Sequence, residues 1–456
     1  EEVRSSIRSS SSTFSLHQRL HLVDTLQRRC LDYLFEEEIN VVLAEVNNAA
    51  YVSDCDLHTV ALWVSPDVFL RFKDEEGRFL GHRPMDLLNL YNAASPRTHG
   101  ERILDEAALF ARKCLETTLP HMKGSLAREI KCTLEIPLPR RVSIYESKYQ
   151  ISRCEEEAVV DEADLNIESK LPFARDRIVE CYFWMLGVYF EPCYSRGRII
   201  LTMVIAIVGV FYDIYDSYGT AEDCELFTKC IERHLTIYQS ACNLRSEIFF
   251  YAYQTMENKL AHEERYRMSY LRSFIVDFVR GLNAEVKMRD DGYVPKSLEE
   301  HLPVSLRTNA SHLLLCASVV GMGDIATKDS FDWVSSMPKM LQALCIILRL
   351  LDGLQSFERE QMTPHVASTI DSYMKEHNIS IELAREKIHE LKEETWKDFN
   401  AEWLNPENSQ PKEIVNRIFN LTRTMEFFYN KDDNFTNCHN ITGTICSLFV
   451  EPITIL

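Results

Sequence analysis

The stretch IILTMVIAIVGVFYDIYDSYG, residues 199–219, joins a continuous apolar run to a polar end that carries two aspartates. The apolar part, residues 199–211, is shorter than the roughly 20 residues that a membrane-spanning helix needs. We therefore predict a buried core helix and no membrane span. Because Asp213 and Asp216 follow the run directly, the predicted helix ends in acidic side chains.

Helical periodicity extends well beyond this stretch. In HQRLHLVDTLQRRCLDYLF, residues 17–35, Leu20, Val23, Leu26 and Leu31 recur with the spacing of one helix face. Only 14 Gly and 15 Pro occur among 456 residues, which is few for a turn-rich β architecture. No run of alternating strands and no internal repeat is visible. The sequence therefore predicts an all-α fold.

Charge and cysteine usage narrow the class of protein. The net charge of −19 argues against a nucleic-acid partner, which a broad basic surface would have to hold. The 14 Cys are scattered without a C-x-x-C pair, a pattern that fits a reducing compartment. No basic and apolar leader opens the chain. We therefore expect a cytoplasmic protein.

A change in composition predicts two domains. Residues 127–170 are irregular and charged, with two prolines in PLP and an acidic run after them. Such a segment is typical of a domain boundary. We expect an N-terminal helical domain at 1–150 and a larger C-terminal domain at 151–456.

A second acidic segment, LRLLDGLQSFERE at 348–360, carries oxygen ligands at helical spacing. Asp352, Ser356 and Glu360 stand at i, i+4 and i+8, so they lie within roughly 80° of one another on a helix. Two carboxylates and a hydroxyl are ligands that Mg²⁺ accepts. Arg349 lies one turn earlier and reaches the same region. The alternative is a solvated helix face with ordinary charges.

The first acidic segment is less complete. Asp213 and Asp216 are ~60° apart on an α-helix, close enough to share an ion. Tyr212 is better placed beside Asp216, but a phenol is a poor ligand for Mg²⁺. Alone, this pair is typical of a helix end. Two such helices that face each other would instead enclose a cavity suited to a diphosphate head and a hydrocarbon tail.

Five strings make the sequence recognisable: LPFARDRIVECYFWMLGVYFEPCYS (171–195), YDIYDSYGT (212–220), VGMGDIAT (320–327), LLDGLQSFERE (350–360) and HVASTIDSYMKEH (365–377). Together they closely resemble plant terpene synthases, most nearly the sesquiterpene branch, over nearly the whole chain. The resemblance implies a class I terpenoid synthase helical bundle at the C-terminus. It also implies an N-terminal helical barrel that has no chemistry of its own.

The resemblance implies site residues at positions that match the family's motifs. The aspartate-rich motif falls on Tyr212, Asp213 and Asp216, and the second metal motif on Asp352, Ser356 and Glu360. The implied set is: catalytic Asp216 and Trp184, the latter an aromatic over the carbocation; diphosphate-binding Arg175, Arg177 and Arg349; metal-binding Asp213, Asp216, Asp352, Ser356 and Glu360; and the lid residues Asp433 and Phe435.

Three departures from the family pattern stand out. Tyr212 stands where the first metal-binding aspartate is expected. After Glu360 the family commonly has basic residues, but this chain has Gln361 and Met362. The lid pattern also differs, because Asn434 replaces a glycine.

The resemblance implies a monomeric lyase with three Mg²⁺ ions, or Mn²⁺ in their place. It would ionise farnesyl diphosphate and cyclise the carbocation to a sesquiterpene. Three alternatives stay open: a weakened paralogue that binds a prenyl diphosphate, a monoterpene synthase that uses geranyl diphosphate, and an isoprenyl diphosphate synthase. An isoprenyl diphosphate synthase would need a second acidic motif that resembles the first, and LLDGLQSFERE does not resemble it.

Overall fold

The computed structural model describes residues 3–4, 7, 16–28, 30–48, 69, 73–77, 79, 83–146, 177–234, 244–362 and 366–450. These residues are mainly helical, as the sequence predicts. The described ranges contain no β-strand, and they contain one isolated β-bridge, between Lys73 and Phe79.

The chain divides into two compact units, with Glu1–Ser152 in one and Arg153–Glu451 as the other. This boundary falls in residues 147–176, outside the described part, so the predicted limits of 1–150 and 151–456 stay a prediction. The described helices of the first unit are α1 (Leu16–Arg28), α2 (Glu36–Asn48), α3 (Pro84–Ala94), α4 (Arg102–Thr118), α5 (Ser125–Glu135) and α6 (Ser143–Glu146).

The first unit has its own apolar core. Leu104, Ala107, Ala111 and Leu115 recur at helical spacing along α4 and are fully buried. They pack with buried side chains of α3 and with Ile130 of α5. An amphipathic helix gains its stability from burying such a face.

The second unit is larger. Its helices are α7 (Ile178–Val188), α8 (Ser195–Tyr212), α9 (Ala221–His234), α10 (Leu244–Asn258), α11 (Arg267–Asp290), α12 (Leu298–Thr308), α13 (Ser311–Val320), α14 (Lys328–Ser335), α15 (Lys339–Glu360), α16 (Thr369–His377), α17 (Ile381–Trp403), α18 (Lys412–Tyr429) and α19 (Thr442–Phe449). Helix α8 packs against α7 and α13, and α15 packs against α17 and α18.

The predicted core helix is α8, which is apolar on all sides and buried along most of its length. Near its beginning it crosses the end of α13 at close range. A Cβ atom on Gly321 would lie 2.3 Å from the Cα of Gly197, so this crossing requires glycine.

Among the described residues, two continuous helical stretches are long and apolar enough to span a membrane, Pro192–Tyr218 and Lys339–Glu360. Their most apolar segments are 78% and 72% buried inside the protein. Buried core helices of this kind meet the same criteria, and this account fits both segments.

The chain bends between α12 and α13, at a TNAS sequence. Ala310 adopts a left-handed conformation with φ of 59°. The Asn309 side chain stabilises the bend, since its Oδ1 accepts from the Ser311 N–H (3.1 Å) and its Nδ2 donates to the Cys345 carbonyl (2.7 Å). Asparagine offers the backbone such alternative hydrogen bonds, so helix α12 ends here and α13 starts in a new direction.

Candidate active site

A cavity of about 360 Å³ lies in the second unit. Helices α7, α8, α11, α12 and α15 and the loop after α18 contribute to its lining. Apolar groups such as Ile178, Val210 and Leu348 line it together with a set of carboxylates and arginines. The cavity therefore combines a charged region with an apolar one.

The first acidic segment continues α8 as one π-helical turn, Asp213–Tyr218. This corrects the α-helical geometry expected from the sequence. In a π-turn each residue advances by less than in an α-helix. The angle between Asp213 and Asp216 is therefore larger than the ~60° expected for an α-helix. Both residues line the cavity.

Gly219 closes the π-turn. Its N–H donates to the Ile214 carbonyl at 2.8 Å. A Cβ atom at this position would lie 2.6 Å from the same carbonyl oxygen and 2.7 Å from the Cys224 sulfur. The close approach explains why glycine follows the acidic segment.

Tyr212 also lines the cavity, and its hydroxyl donates a hydrogen bond to the Thr308 carbonyl at 2.6 Å. Its ring packs edge-on against Phe278, with 5.6 Å between ring centroids. Burial raises the pKa of Tyr212 well above its usual value. The side chain is therefore a neutral phenol that occupies the place of a carboxylate.

The second acidic segment has the geometry that its spacing predicts. Asp352, Ser356 and Glu360 lie on the continuous helix α15, and all three line the cavity. The Ser356 hydroxyl is buried and has no hydrogen-bond partner among the described residues. A buried hydroxyl without a partner costs stability. A metal ion would supply the partner that Ser356 lacks.

The carboxylates of the cavity influence one another. Desolvation by the surrounding protein, together with the charges of Glu285 and Glu360, raises the pKa of Asp216 to about 7. Burial and the charge of Glu360, opposed by the charge of Arg349, likewise raise the pKa of Asp352 to about 7. Divalent cations favour deprotonated ligands, so a metal ion would lower both pKa values.

Arg349 lies among these carboxylates. Its guanidinium donates to the Asp352 carboxylate (3.1 Å), the Thr308 hydroxyl (3.3 Å) and the Ser305 carbonyl (3.1 Å). Arg177 precedes α7 and also lines the cavity. Both can offer charge-assisted hydrogen bonds to an anion. Arg175, the remaining predicted diphosphate ligand, lies outside the described residues.

The predicted lid residues line the cavity as well. Asp433 is buried, and its carboxylate accepts from the Thr436 N–H at 2.9 Å, which shapes a tight turn. Arg177 donates to the Phe435 carbonyl and lies 5.0 Å from the centre of the Phe435 ring. Asn434, which replaces the glycine of the family pattern, does not have a positive φ, so the turn does not require glycine.

Trp184 departs from the predicted arrangement. It is buried on α7, but it is not among the described residues that line the cavity. Its ring stacks on Phe428 at 4.3 Å and packs against Phe435 at 5.0 Å. Since Phe435 is the ring that reaches the cavity, Trp184 supports it from behind, and the predicted direct contact with a carbocation does not follow from this structure.

Glu285 is a site residue that the sequence did not reveal. It lies on α11, lines the cavity, and accepts a hydrogen bond from the Thr308 hydroxyl at 2.6 Å. Burial raises its pKa. Its local sequence, NAEVKMRD, reads as an ordinary amphipathic helix, so only the packing of α11 against α12 places it in the cavity.

Arg289 and Arg359 are two further cavity residues that the sequence motifs do not single out. Arg289 lies one turn beyond Glu285 and donates to the Tyr215 carbonyl at 3.1 Å. Arg359 lies in the last turn of α15, next to Glu360. Both line the cavity.

The donor set suits Mg²⁺, since Asp216, Glu285, Asp352, Ser356 and Glu360 offer only oxygen atoms. Within the described ranges, no three His, Cys, Asp or Glu side chains are close enough to hold one ion between them. An ion bound here would therefore need ligands beyond these side chains, such as water or a substrate oxygen, as Mg²⁺ commonly does.

Comparisons with known proteins agree with this geometry. Residues 163–398 match the metal-binding domain of the terpene synthase family, and residues 1–134 match the terpene synthase N-terminal domain. A chloroplastic α-terpineol synthase of Zea mays is 51% identical, with 98% of this chain and 78% of that protein covered. A β-sesquiphellandrene synthase of Sorghum bicolor is 38% identical, with 99% and 90% covered.

A solved structure has the same fold. Isoprene synthase from grey poplar (Populus x canescens), in complex with three Mg²⁺ ions and dimethylallyl-S-thiolodiphosphate, matches with a TM-score of 0.84 at 27% identity. The match covers 99% of this chain and 95% of that one. It confirms the predicted class I terpenoid synthase bundle with an N-terminal helical domain. The chain therefore belongs to the plant terpene synthase family, whose members are lyases that act on prenyl diphosphates.

Proposed function

We propose that this chain is a magnesium-dependent terpene synthase that ionises geranyl diphosphate and releases a monoterpene. The observation that carries the proposal is that two acidic helix segments, with Asp216 on one and Glu360 on the other, line a single cavity that also has apolar walls. Such a cavity suits a charged head and a hydrocarbon tail.

The choice of substrate rests on the relatives. The relative at 51% identity is named for a monoterpene product, whereas relatives at 36–38% identity are named for sesquiterpenes. This order reverses the expectation from the sequence alone, which favoured farnesyl diphosphate. Farnesyl diphosphate is therefore the second candidate substrate.

The metal ions would be held by Asp216 and Glu285 on one side and by Asp352, Ser356 and Glu360 on the other. When bound, Mg²⁺ would stabilise the negative charge that develops on the diphosphate as the C–O bond breaks. Asp213 lines the cavity beside Asp216 and is a further candidate ligand. The number of three ions, and Mn²⁺ as a substitute, stay predictions, which the three Mg²⁺ ions in the isoprene synthase complex support.

The protein's own residues then perform the remaining tasks. Arg349 and Arg177 would donate charge-assisted hydrogen bonds to diphosphate oxygens. The loop with Asp433 and Phe435 would exclude water from the allylic cation. The faces of Phe435 and Tyr429, which line the cavity, would stabilise cationic intermediates by ~0.5–2 kcal/mol each. Apolar walls would fold the hydrocarbon chain and so select the product.

The decisive experiment incubates the purified protein and Mg²⁺ with geranyl, farnesyl and geranylgeranyl diphosphate in turn. We expect diphosphate release with volatile C10 products from the geranyl substrate, and a lower kcat/KM with the other two. A double variant, Asp352→Asn with Glu360→Gln, should release no diphosphate. If the wild-type protein releases none from any substrate, the proposal is wrong.

A second candidate is a weakened paralogue that binds a prenyl diphosphate without efficient turnover. The observation that favours it is the hydrogen bond between Tyr212 and the Thr308 carbonyl, because this phenol replaces an expected ligand. It predicts saturable, Mg²⁺-dependent binding of the substrate without release of diphosphate.

The cytoplasmic location and the monomeric state stay predictions, and the relative at 51% identity is named chloroplastic.

A further inference from the structure

Positive charge is missing just beyond the second acidic segment. The two residues after Glu360 are Gln361 and Met362, and neither is cationic. Gln361 donates to the Asp371 carboxylate at 3.2 Å, and Met362 is 82% exposed to solvent. Neither position therefore supplies a charged hydrogen-bond donor to an anion in the cavity.

Arg359 supplies a cation one residue earlier. It lines the cavity, and its guanidinium contacts the lid through two nitrogens. One donates to the Thr436 hydroxyl at 3.0 Å, and the other forms an ion pair with the Asp433 carboxylate at 2.9 Å. Asp433 is buried, so the ion pair ties the end of α15 to a fixed point of the lid turn.

The lid is thus held by arginines from two different helices. Arg177, at the beginning of α7, donates to the carbonyls of Phe435 and Thr436. Arg359, at the end of α15, binds the side chains of Asp433 and Thr436. Both arginines line the same cavity as the two acidic segments. The same two side chains therefore contact the lid turn and border the charged region of the cavity.

Arg359 has capacity for a further partner. A guanidinium carries five N–H donors, and contacts to the lid involve two of the three nitrogens. The side chain remains 49% exposed. Arginine also binds phosphate groups through two parallel hydrogen bonds.

We propose that Arg359 is a substrate-binding residue that joins the lid turn to the end of α15 and donates to the substrate diphosphate in place of cationic residues after Glu360. This inference rests on the proposed function, since it assumes that a diphosphate enters the cavity. It goes beyond it by naming the residue that couples binding of the anion to closure of the lid.

The first test measures binding of inorganic diphosphate with Mg²⁺ to the full chain by calorimetry. We expect Arg359→Gln to weaken binding about ten-fold, the effect of losing a charge-assisted contact. Arg385→Gln is the matched control, because Arg385 of α17 pairs with Glu358, the residue before Arg359 on α15, at 3.1 Å and does not line the cavity. It should bind diphosphate as the wild type does.

The second test measures closure of the lid through the products. If Arg359 holds the lid closed, Arg359→Gln should raise the proportion of water-derived alcohols among the products, and Arg359→Lys should restore the wild-type proportion in part. Asp433→Asn should raise the alcohols too, and combining it with Arg359→Gln should add little, because both changes break the same contact.

The outcomes separate this inference from the proposed function. A wild-type protein that neither binds nor releases diphosphate contradicts the proposed function. A wild-type protein that does both, together with an Arg359→Gln variant of unchanged affinity and product ratio, overturns the role of Arg359 alone and leaves an ordinary structural ion pair.

Discussion

The hydroxyl of Tyr212 donates a 2.6 Å hydrogen bond to the backbone carbonyl of Thr308. This bond joins the last residue of α8 to the last residue of α12, at the bend before α13. Thr308 also donates its own hydroxyl to Glu285 and accepts from Arg349. The phenol that replaces an aspartate is therefore part of the network that orients two charged residues of the cavity.

Replacing Tyr212 by aspartate should strengthen metal binding. The added carboxylate would face the cavity that Tyr212 lines, and we expect the Mg²⁺ concentration for half-maximal activity to fall about ten-fold, the scale on which residues around a metal alter its affinity. Calorimetric titration with Mn²⁺ measures the metal affinity in the absence of substrate, independently of turnover. An unchanged or weaker affinity would mean that the chain uses a different ligand set.

Tyr212→Phe is the control for this change. It removes the hydrogen bond to Thr308 and adds no ligand, so it should cost about 1 kcal/mol in the free energy of unfolding. Its metal affinity should stay below that of Tyr212→Asp.

Gly219→Ala should disrupt the π-turn that carries Asp213 and Asp216. The new methyl group would meet the Ile214 carbonyl and the Cys224 sulfur at 2.6 and 2.7 Å, so one of them must move. We expect a loss of about 1–3 kcal/mol in the free energy of unfolding, typical of overpacking, and a lower metal affinity. Chemical denaturation and calorimetry measure the two effects.

Gly443→Ala is the matched control, because a Cβ atom there meets no described atom within 4 Å. Gly443 lies in the first turn of α19, where alanine is the better helix former. Equal losses of unfolding free energy and metal affinity in both variants would contradict the role given to the π-turn.

Ser356→Ala should separate metal binding from folding. The hydroxyl is buried without a partner within the described structure, so its removal should raise the unfolding free energy in EDTA, by about 1–3 kcal/mol at most. The rise of Tm that Mg²⁺ produces should shrink.

Ser372→Ala provides the comparison. Ser372 is also buried without a described partner, but it does not line the cavity. Its substitution should leave the response to Mg²⁺ unchanged. If both variants respond to Mg²⁺ like the wild type, Ser356 is not a ligand.

The effect of Mg²⁺ on stability should depend on pH. Burial raises the pKa of Asp216 and Asp352 from the usual 3.8 to about 7, so the folded state retains protons that the unfolded state has lost. Their contribution to stability without metal is therefore present below pH 4 and is lost as the pH rises towards 7. Mg²⁺ binds the charged carboxylates, so its contribution to stability should increase as the pH rises.

Thermal unfolding with Mg²⁺ and with EDTA tests this sign. The increase in Tm caused by Mg²⁺ should be small at pH 5.5 and should grow through pH 7 to pH 8. An increase of equal size at pH 5.5 and pH 8 would show that neither carboxylate must ionise to bind the metal.

Local sequence determined the elements of the second unit and one half of its site. The apolar run before Tyr212 predicts a core helix, which α8 is, and α15 brings Asp352, Ser356 and Glu360 to one cavity. These predictions succeed because the angle between residues of one α-helix is fixed by their spacing.

Tertiary structure alone decided the rest. Glu285 joins Asp216 in the cavity because α11 packs against the turn after α8, and Trp184 falls behind Phe435 because Phe428 stacks on its ring. The contact between Arg359 and Asp433 joins residues that are far apart in the chain. No spacing rule reaches across such distances, since the direction of each side chain there depends on how separate helices pack.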